Sequence, residues 1–241
     1  MKKAIGLILV FVLAFTALVG CGNGDSEEGS AEGGNKDITV VSREEGSGTR
    51  DGFTELMGIK VDDVDNTTSA AEISNSTSVV MTTVAGNANA IGYISLGSLN
   101  DTVKAVKVDG VEATVENILA DKYPIYRPFN IVTNSNNDLS ALAQDFITFI
   151  MSKQGQDIIT EEGYISEAES PAEYTQQNGL SGRIVLAGST SVSPVMETLA
   201  DAYKEMYPDV EIEIQQTGSG AGITSTIEGA CDIGMASRAI K

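Results

Sequence analysis

Histidine is absent from this chain of 241 residues. With it go the commonest general base at neutral pH and the commonest zinc ligand, so neither a metal site nor a cofactor is expected. Cysteine occurs only as Cys21 and Cys231, and Cys21 closes an export signal, so no intrachain disulfide is expected and stability must come from packing. Basic residues are scarce, 15 against 34 acidic, for a formal net charge of −19. That balance excludes nucleic acid as a partner. There is no Gly-x-Ser-x-Gly elbow, and the glycine loop at 218–222 lacks both the lysine of a P-loop and the third glycine of a dinucleotide fold. Among catalytic readings a surface hydrolase of the Ser-Lys kind stays open, and a purely structural surface protein is a third class.

What is present begins with Lys2 and Lys3 ahead of an apolar run from Ala4 to Val19 that stops at Gly20-Cys21. The run is shorter than the ~20 apolar residues of a membrane span, so residues 1–20 read as a secretory signal peptide. Leu18-Val19-Gly20-Cys21 has the form of a bacterial lipobox, in which Cys21 is lipidated, as with palmitate, and becomes the mature N-terminus. Residues 21–37, rich in Gly, Ser, Glu and Asn, bury too little to fold and read as a flexible tether. The expectation is an extracytoplasmic protein, lipid-anchored to the cell membrane.

From residue 38 onward strands alternate with helices, as in an α/β protein. Residues 38–41 are β-branched and read as a strand. Phe53, Leu56 and Met57 follow at helical spacing. Ser76-Thr77-Ser78 reads as the cap of a helix that stops at Gly86. Residues 90–95 read as a buried strand, and residues 103–108 and 111–114 as a hairpin turned at Asp109-Gly110. Residues 126–133 read as a strand whose Pro128 points to a sheet edge or a crossover and not to a sheet centre. Leu139, Leu142, Phe146, Ile147 and Ile150 mark one face of a long helix. A fresh unit then starts with a strand at 184–187 and a helix opened by Pro194. It continues with an alternating strand at 210–214, a helix from Ser219 and a strand ending near Arg238.

Two distant stretches look like halves of one oxyanion socket: Arg43-Glu44-Glu45-Gly46-Ser47-Gly48-Thr49-Arg50, and Gly188-Ser189-Thr190-Ser191-Val192-Ser193-Pro194 with Thr217-Gly218-Ser219-Gly220-Ala221-Gly222. Each pairs glycines, which let backbone N–H groups point inward, with hydroxyls at a helix start, where unsatisfied amides and the dipole attract an anion. The negative net charge opposes an anion at long range, but salt screens it over ~8–10 Å, whereas donors in direct contact act unscreened. A lone Gly-Ser-Gly loop is more often a turn, and a lone arginine a surface ion-pair partner; their joint occurrence carries the reading. Arg50 and Arg238 read as structural ion-pair residues near the mouth.

These segments, together with Asp232-Ile233-Gly234-Met235-Ala236-Ser237-Arg238, resemble the phosphate-binding lipoproteins of bacterial phosphate ABC transporters, over nearly all of residues 38–241. The resemblance implies a periplasmic-binding-protein type II fold, α/β, with two lobes of mixed sheets flanked by helices: 38–123 with the Arg43–Thr49 loop, and 124–241 with the Gly188–Pro194 and Thr217–Gly222 loops. In most of that family the Gly188-type segment comes first, so the chain resembles a circular permutation, and roughly fifty further C-terminal residues would then be expected. The resemblance implies a receptor, not an enzyme, that closes on inorganic phosphate and delivers it to permease subunits. The implied phosphate ligands are Arg43, Ser47, Gly48, Thr49, Thr190, Ser191 and Ser219. Ser237 stands near where many relatives carry an aspartate that accepts the proton of hydrogen phosphate. Glu44, Glu45 and Asp51 are the alternatives for that acceptor, and sulfate or molybdate are alternative ligands.

Overall fold

The computed structural model describes residues 37–166 and 168–240. The signal peptide, Cys21 and the rest of the tether lie outside them. β1 (Thr39–Arg43) leads to α1 (Gly48–Leu56), the short strands β2 (Lys60–Val61), β3 (Val64–Asp65) and β4 (Glu72–Ser74), then α2 (Thr77–Gly86) and β5 (Ala90–Ile91). β1 is the middle of a three-stranded sheet, β4-β1-β5, and runs parallel to both neighbours.

The chain continues through α3 (Val115–Leu119), β6 (Asn130–Val132), α4 (Ala141–Met151) and α5 (Lys153–Glu161). It then forms β7 (Gly182–Gly188), α6 (Ser193–Met206), β8 (Val210–Gln216), α7 (Ser219–Glu228) and β9 (Ile233–Ala236). The second sheet has the order β6-β9-β7-β8. β8 and β9 run parallel to β7, and β6 is antiparallel to β9 at the edge. Pro128 lies just ahead of that edge strand, where a missing N–H donor breaks no ladder.

Three elements are smaller than the sequence predicts: residues 126–133 yield only β6, Asn130–Val132. Residues 90–95 yield only β5, with Ile91 47% exposed, before a 3-10 turn at Leu96–Ser98. The hairpin keeps its turn, with Asp109 and Gly110 at φ of 51° and 80°, but retains a single bridge between Val108 and Val111. An isolated two-stranded hairpin is marginal without a third strand or a helix to pack on.

The core lies mostly in the second half. Leu142, Phe146, Phe149 and Ile150 of α4 and Val195, Leu199 and Tyr203 of α6 pack with Ile184, Leu186 and Ile233 of the sheet. Burying each such side chain contributes about 1.5–3 kcal/mol. Among the described residues 38–123, Val41 and Val80 are the buried hydrophobics. Leu56 and Met57, expected on the covered face of α1, are 44% and 42% exposed. The face that α1 buries is instead Gly48, Gly52 and Thr54. A Cβ on Gly48 would collide with Ser219 and Ser237, and one on Gly52 with the Arg127 guanidinium, so close approach decides the orientation of α1 over hydrophobicity.

One carboxylate sits inside the core. Asp145 Oδ2 accepts from Tyr174 Oη at 2.5 Å and Tyr203 Oη at 2.7 Å, while the Tyr174 and Tyr207 hydroxyls lie 2.7 Å apart. Burial, reinforced by the bonds to Asp145, pushes the Tyr174 and Tyr203 phenols well above their ordinary value, so both remain donors. The Tyr203 ring meets Phe146 edge-on at 5.0 Å between centroids, and the Tyr174 ring meets Phe149 at 5.2 Å. Asp145→Ala strands these hydroxyls and should lower the unfolding free energy by about 1–3 kcal/mol. Urea unfolding measures it, and an unchanged midpoint would show that the cluster stabilises nothing.

Candidate functional site

Parallel strands set the site. β1 ends at Arg43 and opposes Ser74 of β4, so the starts of α1 and α2 leave the sheet side by side. In the second sheet Gly188 of β7 opposes Gln216 of β8 and Met235 of β9, so residues 188–191, 217–220 and Ser237 also leave together. All five segments lie at the carboxyl ends of parallel strands, where ligands of open α/β sheets bind. Gly188, at φ 142°, is held against the Met235 carbonyl, where a Cβ would collide. Its own carbonyl accepts from Thr217 N–H at 3.0 Å and Gly218 N–H at 2.8 Å.

The two groups of loops meet. Gly220 N–H donates to the Gly46 carbonyl at 3.0 Å. Thr49 Oγ1 lies 2.7 Å from Ser191 Oγ. Arg43, only 2% exposed, sends Nη2 to Thr190 Oγ1 at 3.1 Å and Nη1 to Thr77 Oγ1 at 3.3 Å. Its Nε reaches the Ser74 carbonyl at 3.1 Å, and Nε and Nη2 form a fork on Glu44 at 2.9 Å each. A buried guanidinium is tolerated only when so paired.

Around it hydroxyls form a continuous cluster. Ser189 Oγ donates to Ser237 Oγ at 2.9 Å, Ser237 N–H donates to Ser219 Oγ at 3.1 Å, and Thr49 Oγ1 and Ser219 Oγ each lie 3.4 Å from Ser237 Oγ. Hydroxyls both donate and accept, so the cluster can turn its protons toward an arriving anion. On the Thr49 and Ser237 side it opens into a cleft of about 1020 Å³ walled by Phe53, Tyr93, Arg127 and Phe129.

Arg43, Thr49, Thr190, Ser191, Ser219 and Ser237 thus share one hydrogen-bonded cluster, with Gly48 packed against its two serines. Ser47 is buried but turned to its own helix, capping α1 by accepting from Arg50 N–H at 3.4 Å. Of the three acids considered as proton acceptor, Glu44 lies on Arg43, Glu45 is exposed, and Asp51 Oδ2 pairs with Arg238 Nε at 3.1 Å. Arg238 Nε makes no hydrogen bond, so its contact with Asp51 is Coulombic. Arg50 pairs with Asp65 at 2.7 Å and donates to the Arg43 carbonyl at 2.7 Å, bracing the loop. Burial would raise the Asp65 carboxyl, but donors from Thr67 and Arg50 hold it at about 2.

Three neighbours escaped the sequence reading. Thr77 was visible only as part of a helix cap, and nothing local reveals that β4 lies beside β1. Ser189 lies within the quoted motif without an assigned role. Tyr93 Oη accepts from Arg43 N–H at 3.1 Å, lies 2.7 Å from Ser42 Oγ, and its ring stacks on Phe53 at 4.1 Å. Because Gly48 carries the contact between the halves, Gly48→Ala should cost about 1–3 kcal/mol of stability through overpacking. Thermal unfolding reads this, and an unperturbed transition would show that the contact yields freely.

The PBP superfamily domain matches residues 25–154 and 167–241. The phosphate-binding protein PstS 2 of Streptococcus pneumoniae is 50% identical over 241 residues, covering 98% of this chain and 81% of that protein. Its namesake in Streptococcus agalactiae is 47% identical over 246 residues, covering 99% and 81%. A crystal structure of a phosphate-binding protein of a phosphate ABC transporter from S. pneumoniae superposes with a TM-score of 0.65 at 53% identity, over 85% of this chain and 80% of that one. A phosphate-bound substrate-binding protein from Clostridium perfringens, described as a phosphate ABC transporter component, gives a TM-score of 0.50 at 48% identity over 54% and 51%. The chain belongs to the PBP superfamily and, within it, to the family of the phosphate-binding proteins PstS.

Proposed function

We propose that this chain is an extracytoplasmic receptor that captures inorganic phosphate and delivers it to an ABC permease. The observation that carries the reading is a buried guanidinium, Arg43, gathered with hydroxyls of Thr49, Thr190, Ser191, Ser219 and Ser237 at strand ends of both sheets. It occurs in a chain half identical to a phosphate-binding relative. Residues 38–123 and 124–241 act as the two lobes, and the hydrogen bonds between their loops correspond to a closed arrangement that hinge opening would release. The order of the lobes is a circular permutation, supported by β6, which precedes β7 in the chain yet completes the second sheet beyond β9.

With its Nε/Nη2 edge on Glu44, Arg43 offers its Nη1/Nη2 edge, which faces Thr77 and Thr190, for planar recognition of an oxyanion. Ser47, Gly48 and Thr49 contribute from the start of α1, and Thr190, Ser191, Ser219 and Ser237 from the other lobe. Among Glu44, Glu45 and Asp51 as acceptors of the hydrogen phosphate proton, the reading favours Glu44, whose carboxylate already lies on Arg43. Sulfate carries no such proton and would meet the carboxylate's repulsion, which favours phosphate. Sulfate or molybdate are the second reading, because Ser237 stands where many relatives carry the aspartate. The chemistry is binding and not turnover: a serine nucleophile needs an adjacent base, and these hydroxyls adjoin one another and a guanidinium. The anchor is a lipid on Cys21.

Isothermal titration with phosphate and with sulfate tests the site. Arg43→Ala should weaken phosphate binding by about 2–5 kcal/mol, and Ser47→Ala by about 1–3 kcal/mol. An Arg43→Ala protein that is folded by circular dichroism and binds like the parent sinks the assignment. Release of product from phosphoesters would favour the hydrolase reading instead. Cys21→Ala should move the protein from the membrane fraction to the soluble one, and unchanged fractionation refutes the lipid anchor.

A further inference from the structure

The first residue of α2 lies inside the cluster, although its segment, Asn75-Ser76-Thr77-Ser78, has no glycine loop and no likeness to the other anion motifs. Thr77 is 4% exposed. Its Oγ1 accepts from Arg43 Nη1 at 3.3 Å and lies 3.2 Å from Thr190 Oγ1 and 3.1 Å from Ser191 Oγ. Its N–H donates to Thr190 Oγ1 at 3.4 Å. Three residues of the proposed cage therefore touch one side chain that comes from a different helix.

The hydroxyl has one proton. Since Arg43 occupies it as an acceptor, that proton must point toward Thr190 or Ser191, the pair that joins Arg43 to the second sheet. The preceding residue, Ser76, is the N-cap of α2 but makes no side-chain capping bond; its hydroxyl lies 2.8 Å from Ser78 Oγ. The amides of the first turn of α2 thus keep their donor capacity, and the Thr77 amide already spends its share on a cage residue. Helix start, buried hydroxyl and buried guanidinium converge on one point.

We propose that Thr77 is a direct ligand of the bound oxyanion, donating its hydroxyl and backbone N–H. The start of α2, a fourth beside those of α1, α6 and α7, then closes the Arg43 side of the cage. This rests on the phosphate reading of the same site and deepens it. An anion seated between Arg43 and Thr190 would take the place of the Thr77–Thr190 contact, so Thr77 would exchange one acceptor for a charged one, where hydrogen bonds are strongest. Thr77 Oγ1 would still accept from Arg43 Nη1 while donating to the anion, so that one hydroxyl fixed by α2 bridges guanidinium and ligand.

The test is titration with inorganic phosphate of the parent, Thr77→Val, Thr77→Ser and Arg43→Ala, each checked for folding by circular dichroism and thermal unfolding. Thr77→Val keeps the shape and the amide while deleting the hydroxyl, and should weaken binding on the order of ten- to a hundred-fold. Thr77→Ser restores the hydroxyl and should bind within a few-fold of the parent. Arg43→Ala losing binding while Thr77→Val binds like the parent overturns the role of Thr77 and leaves the site reading intact. Thr77→Val and Thr77→Ser weakened alike overturn it too, since the hydroxyl would not be the cause. A parent without phosphate affinity overturns both.

Discussion

Keeping a guanidinium out of water is the constraint on which this structure turns. Arg43 is almost fully buried, and an unpaired charge there would cost several kcal/mol. Its compensation comes from four directions: Glu44 next to it, the Ser74 carbonyl on the neighbouring strand, Thr77 at a helix start, and Thr190 from a loop 147 positions away in sequence. The parallel pairing of β1 with β4, the start of α2 and the contact between the two groups of loops are all required for that arrangement. Deleting the arginine removes these four contacts and leaves Gly220 on Gly46 and Thr49 on Ser191 to hold the two groups of loops together.

Charge on the whole molecule runs the other way, with a formal net charge of −19. The proposed anion receptor can work with that charge because screening confines the global field, while amides, hydroxyls and one guanidinium act at contact distance in a drier place. The topology concentrates these donors. Every site loop leaves the carboxyl end of a parallel strand, so helix starts converge without any local sequence needing to be basic.

The two halves are stabilised unequally. The second has a continuous apolar core around α4, α6 and the β7-centred sheet, with Asp145 tying the phenols of Tyr174 and Tyr203 together inside it. The first contributes Val41 and Val80 as buried hydrophobics and holds its helix α1 by glycine contacts and by Arg50 and Asp65. Its geometry therefore depends on polar contacts with the second half more than on a core of its own.

The glycine-and-hydroxyl loops, the helix starts after them, the edge position of the strand after Pro128 and the structural ion pairs of Arg50 and Arg238 were all legible in the sequence. Each is a local property: φ preference, capping chemistry, a missing donor, an opposite charge within reach. The hairpin around Asp109-Gly110 and the strand at 90–95 were misjudged in extent, because a turn signal and a β-branched run say nothing about whether another strand lies alongside. The burial of Gly48 in place of Leu56 and Met57 was decided by how closely Ser219 and Ser237 approach, which hydrophobic spacing does not encode. Likewise Thr77 and Tyr93 come beside Arg43, and Glu44 lies on its guanidinium while Glu45 stays exposed and Asp51 pairs with Arg238, only through strand register and side-chain direction. The sequence by itself determined which chemical groups are available and where helices begin. The tertiary structure decided which of them meet, because that depends on strand pairings between residues far apart in the chain.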